Sequence, residues 1–158
     1  MANKIRVLVD LNVVIDVIQN RQPFYEDSAG VLDAVVRQVV LGWLAAHSVT
    51  TLYYGISRTR NREAAVHAVT SLLESFTVAT VDDTVIRKAL SLGWKDFEDA
   101  VQMGAATADD IDYLITRNIK DFQSGPVPAI QPAAFLTLLD SIQDLKDKSD
   151  HTNDITDN

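Results

Sequence analysis

Five short apolar runs space out this chain: "IRVLV" at 5–9, "LGWLA" at 41–45, "TVATV" at 77–81, "DYLIT" at 112–116 and "VPAIQ" at 127–131. The first has no regular polar alternation, as expected of a strand covered on both faces. Stretches of helical character separate the runs. Strands that alternate with helices predict an α/β fold with a mainly parallel central sheet between two helical layers. In such sheets ligands collect at the carboxyl ends of the strands. The first run ends on Asp10, followed by Asn12, so the topology places an acid where chemistry is expected.

The intervening segments read as follows. A helix of two turns spans Val13 to Gln19, and "NRQPFYEDS" is a loop broken by Pro23. Ser28 is the expected cap of a helix through Val40, and Ser48 that of a helix to Arg58. In "NREAAVHAVTSLLESF", residues Ala65, Val69, Leu72, Leu73 and Phe76 form one stripe. Asp82 caps "DTVIRKALSLG", which Gly93 ends. "DFEDAVQMGAATADD" is a further helix, and "NIKDF" is one helical turn. Pro132 opens the last helix, through about Lys146. There is no internal repeat and no linker. The expected division is one domain over 1–143 and an acidic, flexible tail over 144–158.

Composition narrows the chemistry. The chain has 158 residues, 47% of them hydrophobic, which is enough for one packed core. It has no cysteine, which excludes disulfides, thiolate metal sites and a cysteine nucleophile. With no secretory leader pattern and no membrane-length apolar run, the expected location is the cytoplasm. The net charge is −8; the tail carries five Asp against two Lys, leaving about −5 for the body. An acidic body opposes nonspecific grip on phosphate backbones, yet permits carboxylates gathered around a cation.

Three groups of polar residues are candidates for such a site. Asp10 and Asn12 follow the first strand. Asp96 and Asp99 are three apart at the start of a helix, hence on one face. Asn118 and Asp121 have the same spacing after the fourth strand. Both spaced pairs also fit helix capping, with an acid at N3. Asp10 does not fit it, because a lone carboxylate closing a buried strand is costly without a partner. Hard oxygen donors with no Cys and no clustered His point to Mg²⁺ or Mn²⁺ rather than Zn²⁺. His47, His67 and His151 follow no ligand spacing, and the tryptophans Trp43 and Trp94 read as core or rim. Asp16 either points back toward Asp10 or meets solvent. Arg58, Arg60 and Arg62, in "SRTRNR", form the one basic cluster of the sequence. Asp112 reads as a structural residue.

Together, the Asp-terminated first strand, "DFEDAVQ" and "ITRNIKDF" resemble PIN-domain proteins, in particular the VapC-like toxin components of bacterial toxin–antitoxin pairs. The similarity covers roughly residues 5 to 140. It implies a three-layer α/β/α sandwich that cuts RNA with Mg²⁺ or Mn²⁺, partnered by an antitoxin protein and by a second copy in a dimer. Carried over, Asp10 is the first-strand acid and Asp99 the helix acid. Asn118 stands where many active members have an Asp, with Asp121 as its replacement and Asp96 as an additional acid. The implied metal ligands are Asp10, Asp99 and Asp121. Asn12, Asn118, Arg117, Arg58 and Arg62 are the expected substrate contacts.

The chain departs from the family in one respect. Active members carry a Glu in the helix after the second strand, whereas "HSVTTLYYG" offers only Thr50 or Thr51 there. With Asn118, two of four usual acids are neutral. The expected activity is therefore metal-dependent phosphodiester hydrolysis, with Asp99 or Asp96 orienting water. Its alternative is a binding or regulatory module on the same fold with weakened chemistry. Phosphotransfer on Asp10 is a third class, but the accompanying acids and Lys of receiver domains are missing.

Overall fold

The computed structural model describes residues 3–153. Five strands, β1 (Arg6–Val9), β2 (Leu41–Ala45), β3 (Phe76–Ala79), β4 (Tyr113–Ile115) and β5 (Ala129–Ile130), form one sheet in the order β3-β2-β1-β4-β5. Every pairing is parallel, with Leu8 opposite both Trp43 and Leu114. Among the described residues seven helices connect and cover them: α1 (Leu11–Ile18), α2 (Tyr25–Val36), α3 (Ala46–Thr59), α4 (Arg62–Leu73), α5 (Asp83–Leu92), α6 (Phe97–Ala108) and α7 (Pro132–Asn153). A 3₁₀ turn, Ile119–Phe122, lies between β4 and β5.

Strand periodicity divides the core in two. Val7, Val9, Leu44 and Ile115 face a cluster with Val13, Val14, Leu52 and Phe135, beneath α1–α4 and α7. Leu8, Trp43 and Leu114 face the other side, against α5, α6 and Phe122. Successive strand side chains point to opposite faces, so a strand between two helical layers has no polar face. Val7, Leu8 and Val9 are accordingly all fully buried, each worth about 1.5–3 kcal/mol. This is the three-layer sandwich expected from the sequence. Gly42 is required in β2 by close packing: a Cβ there would lie 2.6 Å from Val35 Cγ1 and 2.9 Å from Phe76 Cδ1.

The helix boundaries differ from the sequence reading at several points. Ser28 does not cap α2 but lies inside it, fully buried, and donates from Oγ to Asp16 Oδ2 at 3.1 Å. α3 begins at Ala46, so Ser48 is a buried residue of its first turn. α4 stops at Leu73, and Phe76 passes to β3; Leu73 leaves the predicted stripe and is exposed. The expected cap at Asp82 forms, accepting from Val85 N at 3.0 Å, whereas Asn61, read as part of the helix, is its cap and accepts from Ala64 N at 2.7 Å. α7 extends to Asn153, well past Lys146. Its exposed second half is laced by contacts such as Gln143 Nε2 to Asp147 Oδ1 at 2.9 Å, of the i to i+4 kind that supports an isolated helix.

The strand order also locates a crevice. From β1 the chain goes to β2 on one side of the sheet, while β4 joins on the other. The carboxyl ends of β1 and β4 thus flank the switch point of the sheet.

Candidate active site

Asp10 closes β1 at this switch point and is 6% exposed. Its backbone N–H continues the sheet by donating to Ile115 O at 2.9 Å. Its carboxylate makes no side-chain cap to α1. Instead Oδ2 accepts from Thr116 Oγ1 at 2.8 Å, and Oδ1 accepts from Gln102 Nε2 at 3.2 Å. A hydrogen bond to an ionised group contributes about 1.5–3 kcal/mol, so two such bonds compensate much of the burial cost. Thr116 Oγ1 also accepts from Asn118 N at 3.1 Å. One hydroxyl therefore ties the acid to the loop after β4.

The remaining acids arrive from α6 and the 3₁₀ turn. Asp96 caps α6, its Oδ1 accepting from Asp99 N at 3.2 Å. The capping expectation is thus met, yet Asp96 and Asp99 also line one cleft with Asp10, Glu98 and Asp121. That cleft measures about 260 Å³, and Asn12, Asn118 and Thr51 are among the other residues of its walls. Asn118 makes no side-chain cap to the 3₁₀ turn, so its amide is free of that role. A second hollow of about 430 Å³ adjoins through Asp96 and Asp121, and adds Trp94, Lys95 and Ser124.

The electrostatic result is visible at Asp99. Burial first, then the charges of Asp96, Asp10, Asp121 and Glu98, push its carboxyl up to about 7. Four neighbouring acids that all raise the same group make a cleft with a standing demand for positive charge. Its donors are carboxylates, which suit a hard divalent cation. Among the described residues, however, no three His, Asp or Glu side chains converge to hold a metal ion. Donor chemistry and charge fit such an ion, and Asp10, Asp99 and Asp121 share the one cleft.

Not every candidate joins the cleft. Arg117 is turned to the opposite side, 2.9 Å from Asp16 Oδ2 and stacked over the Phe24 ring with its guanidinium carbon 4.0 Å from the centroid. The Arg117–Asp16 contact is a close charge pair rather than an aligned hydrogen bond, since the Nε–H finds no acceptor in line. Asp16 thus neither points to Asp10 nor meets solvent: it is fully buried and held by Arg117 and Ser28. Arg58 and Arg62, at the end of α3 and the start of α4, are exposed and form no part of the cleft wall.

Five polar contributors escaped the sequence reading, the first being Glu98 in the opening turn of α6. His47 and Ser48, in the first turn of α3, line the cleft beside Thr51. Burial lowers the His47 pKa, against the opposing pull of Glu98 and Asp10. Gln102 and Thr116 hold Asp10. The signal for Gln102 was its place three residues after Asp99, on the same helix face; that for Thr116 was its position closing a strand adjacent to β1.

Fold and site together define a parallel-sheet α/β/α domain with an acidic cleft at its topological switch point. The PIN domain family model matches residues 6–120, and the chain belongs to that family. Solved structures give the same architecture. A toxin–antitoxin complex from Klebsiella pneumoniae is 20% identical with a TM-score of 0.63, covering 80% of this chain and 97% of that one. VapBC-1 from nontypeable Haemophilus influenzae is 16% identical, TM-score 0.65, covering 82% and 99%. VapC20 of Mycobacterium tuberculosis, a toxin that cleaves the sarcin–ricin loop, is 13% identical, TM-score 0.55, covering 68% and 86%. Among curated protein sequences none matches.

Proposed function

We propose that this PIN-domain protein is a divalent-metal-dependent ribonuclease and the toxin component of a toxin–antitoxin pair. The observation that carries the reading is the gathering of Asp10, Asp96, Glu98, Asp99 and Asp121 on one cleft, where burial first and then the neighbouring charges raise the Asp99 carboxyl to about 7. The likeness to toxin–antitoxin structures supports an antitoxin partner, and a homodimer and a cytoplasmic location belong to the same reading. Among the described residues, no helix is long and apolar enough to cross a membrane.

Asp10, Asp99 and Asp121 are the residues that would hold Mg²⁺ or Mn²⁺. When bound, the cation supplies an acidified water and charge stabilisation for the leaving oxygen. The protein contributes the rest. Gln102 and Thr116 fix the Asp10 carboxylate, so its free lone pairs keep one direction. The value of about 7 at Asp99 belongs to the metal-free cleft; a bound cation would draw that carboxyl down and hold it ionised as a ligand, which leaves Asp96 beside it to orient the attacking water. Asn12 and Asn118, neutral and on the cleft wall, can donate to a phosphate without adding repulsion.

The test is cleavage of single-stranded RNA by purified protein in Mn²⁺, with EDTA as control and Asp10→Asn as variant. Cleavage that survives Asp10→Asn sinks the assignment. A second reading has its own support: Thr51 and Asn118 both line the cleft where the family usually places acids, leaving it with fewer anionic ligands. Folded protein at high concentration that cuts nothing in Mn²⁺ selects a PIN-like nucleic-acid-binding or protein-interaction module.

A further inference from the structure

Two of the residues that line the cleft each carry a buried polar atom with no partner: Gln102 Oε1 and His47 Nδ1. Gln102 is 4% exposed and sits in the most buried stretch of α6, Ala100 to Ala106. Its amide orientation is fixed by chemistry, because only the nitrogen can donate to Asp10 Oδ1, 3.2 Å away. The oxygen left over is an acceptor, and a buried acceptor without a donor or cation is costly. His47 faces the same cleft from α3, within electrostatic reach of Asp10 and Glu98. Thr51 cannot fill the anionic role in α3, and its hydroxyl hydrogen is spent on His47 O at 3.0 Å.

We propose that Gln102 and His47 supply neutral donors to the cation of this site, in place of the carboxylate missing from α3, and that His47 biases the site toward Mn²⁺ over Mg²⁺. The inference rests on the metal-dependent reading above. Mg²⁺ takes oxygen ligands and keeps its waters, whereas an imidazole nitrogen suits first-row transition ions. A site of carboxylates and an amide oxygen alone would bind the two ions similarly; one that adds a ring nitrogen separates them. Gln102 acts in two ways, by orienting Asp10 through its N–H and by presenting Oε1 to the ion or to a water bound on it.

The experiment is metal binding, independent of catalysis. Metal-free protein is titrated with Mn²⁺, followed by the electron paramagnetic resonance of the free ion, and Mg²⁺ is measured by competition. Wild type, His47→Leu, Gln102→Met and Asp10→Asn are compared, with circular dichroism and thermal melting as checks of folding. Wild type is expected to prefer Mn²⁺. His47→Leu is expected to lose about tenfold or more in Mn²⁺ affinity while Mg²⁺ changes little, and Gln102→Met to weaken both ions by about 10–100-fold. A Mn²⁺ to Mg²⁺ ratio unchanged in folded His47→Leu, or binding unchanged in folded Gln102→Met, overturns the proposal. If Asp10→Asn still abolishes binding in that case, the metal-dependent reading stands alone. If wild type binds neither ion, both fall. Should His47→Leu fail to fold, His47→Gln replaces it with the same expected fall in the Mn²⁺ to Mg²⁺ ratio; should Gln102→Met fail to fold, Gln102→Asn, which draws the amide back by one methylene, replaces it with the same expected loss for both ions.

Discussion

Replacing Asp99 by Asn should stabilise the metal-free protein at alkaline pH and leave it nearly unchanged in acid. The folded protein holds this carboxyl at about 7, against 3.8 as the ordinary value. Between those pH values the native state keeps a proton that the unfolded chain has released. Stability therefore falls as pH rises from about 4 to about 7, and the full penalty is felt above 7. Taken at face value the difference is about 4 kcal/mol. Asp99 is only half-buried, and solvent screening reduces this to about 1–2 kcal/mol. The acid also sits in the first turn of α6, where the helix dipole favours its charge by about 0.5 kcal/mol, a contribution that Asn forfeits. The net expectation is a gain of about 1 kcal/mol at pH 8. Urea unfolding of wild type and variant at pH 8 and pH 4 measures it, and the gap should close at the lower pH. Equal or lower stability of Asp99→Asn at pH 8, with unchanged denaturant dependence, would refute the claim that burial and the neighbouring acids together disfavour the Asp99 charge.

Other perturbations test the supports. Asp10→Ala leaves Gln102 Nε2 and Thr116 Oγ1 without their acceptor and should cost about 2–3 kcal/mol in urea unfolding, besides abolishing Mn²⁺ binding. Arg117→Met strands the buried Asp16 carboxylate and should cost about 3–5 kcal/mol; Asp16→Asn in the same chain should recover a large part of that loss. Gly42→Ala drives a methyl into Val35 and Phe76 and should lower stability by about 1–3 kcal/mol, with RNA cleavage per folded molecule unaffected. Adding Mn²⁺ should raise the melting temperature of wild type more at pH 8 than at pH 5, since protonated Asp99 is a poorer ligand.

The strand–helix alternation and the placement of Asp10 at a strand end were legible because burial on both faces leaves a plain signal: Val7, Leu8 and Val9 have no polar residue among them. The caps at Asp82 and Asp96 were legible for a similar reason, since a side-chain oxygen before a helix has one dominant use. Ser28 and Ser48 show where that logic stops. Each resembles a cap locally, but tertiary packing starts the helix a turn earlier and puts the hydroxyl inside. Arg117 shows the same limit for charge: its sequence neighbours Thr116 and Asn118 belong to the cleft, yet its side chain is taken by Asp16, a partner 101 positions away whose burial no local pattern announces. His47 was missed because a single histidine has no spacing to read. Only the parallel pairing of β2 with β1 brings the start of α3 beside Asp10.

The contacts that orient Asp10 come from residues 92 and 106 positions further along the polypeptide. Asp10 is thus set in place only once residues far later in the sequence have emerged. A nascent chain that has not yet released Thr116 from the ribosome has no second anchor for that carboxylate, and any product truncated before β4 lacks it permanently. The orientation of this carboxylate is in that sense a report that the polypeptide has been made through β4: shorter copies carry the acid but not the means to aim it.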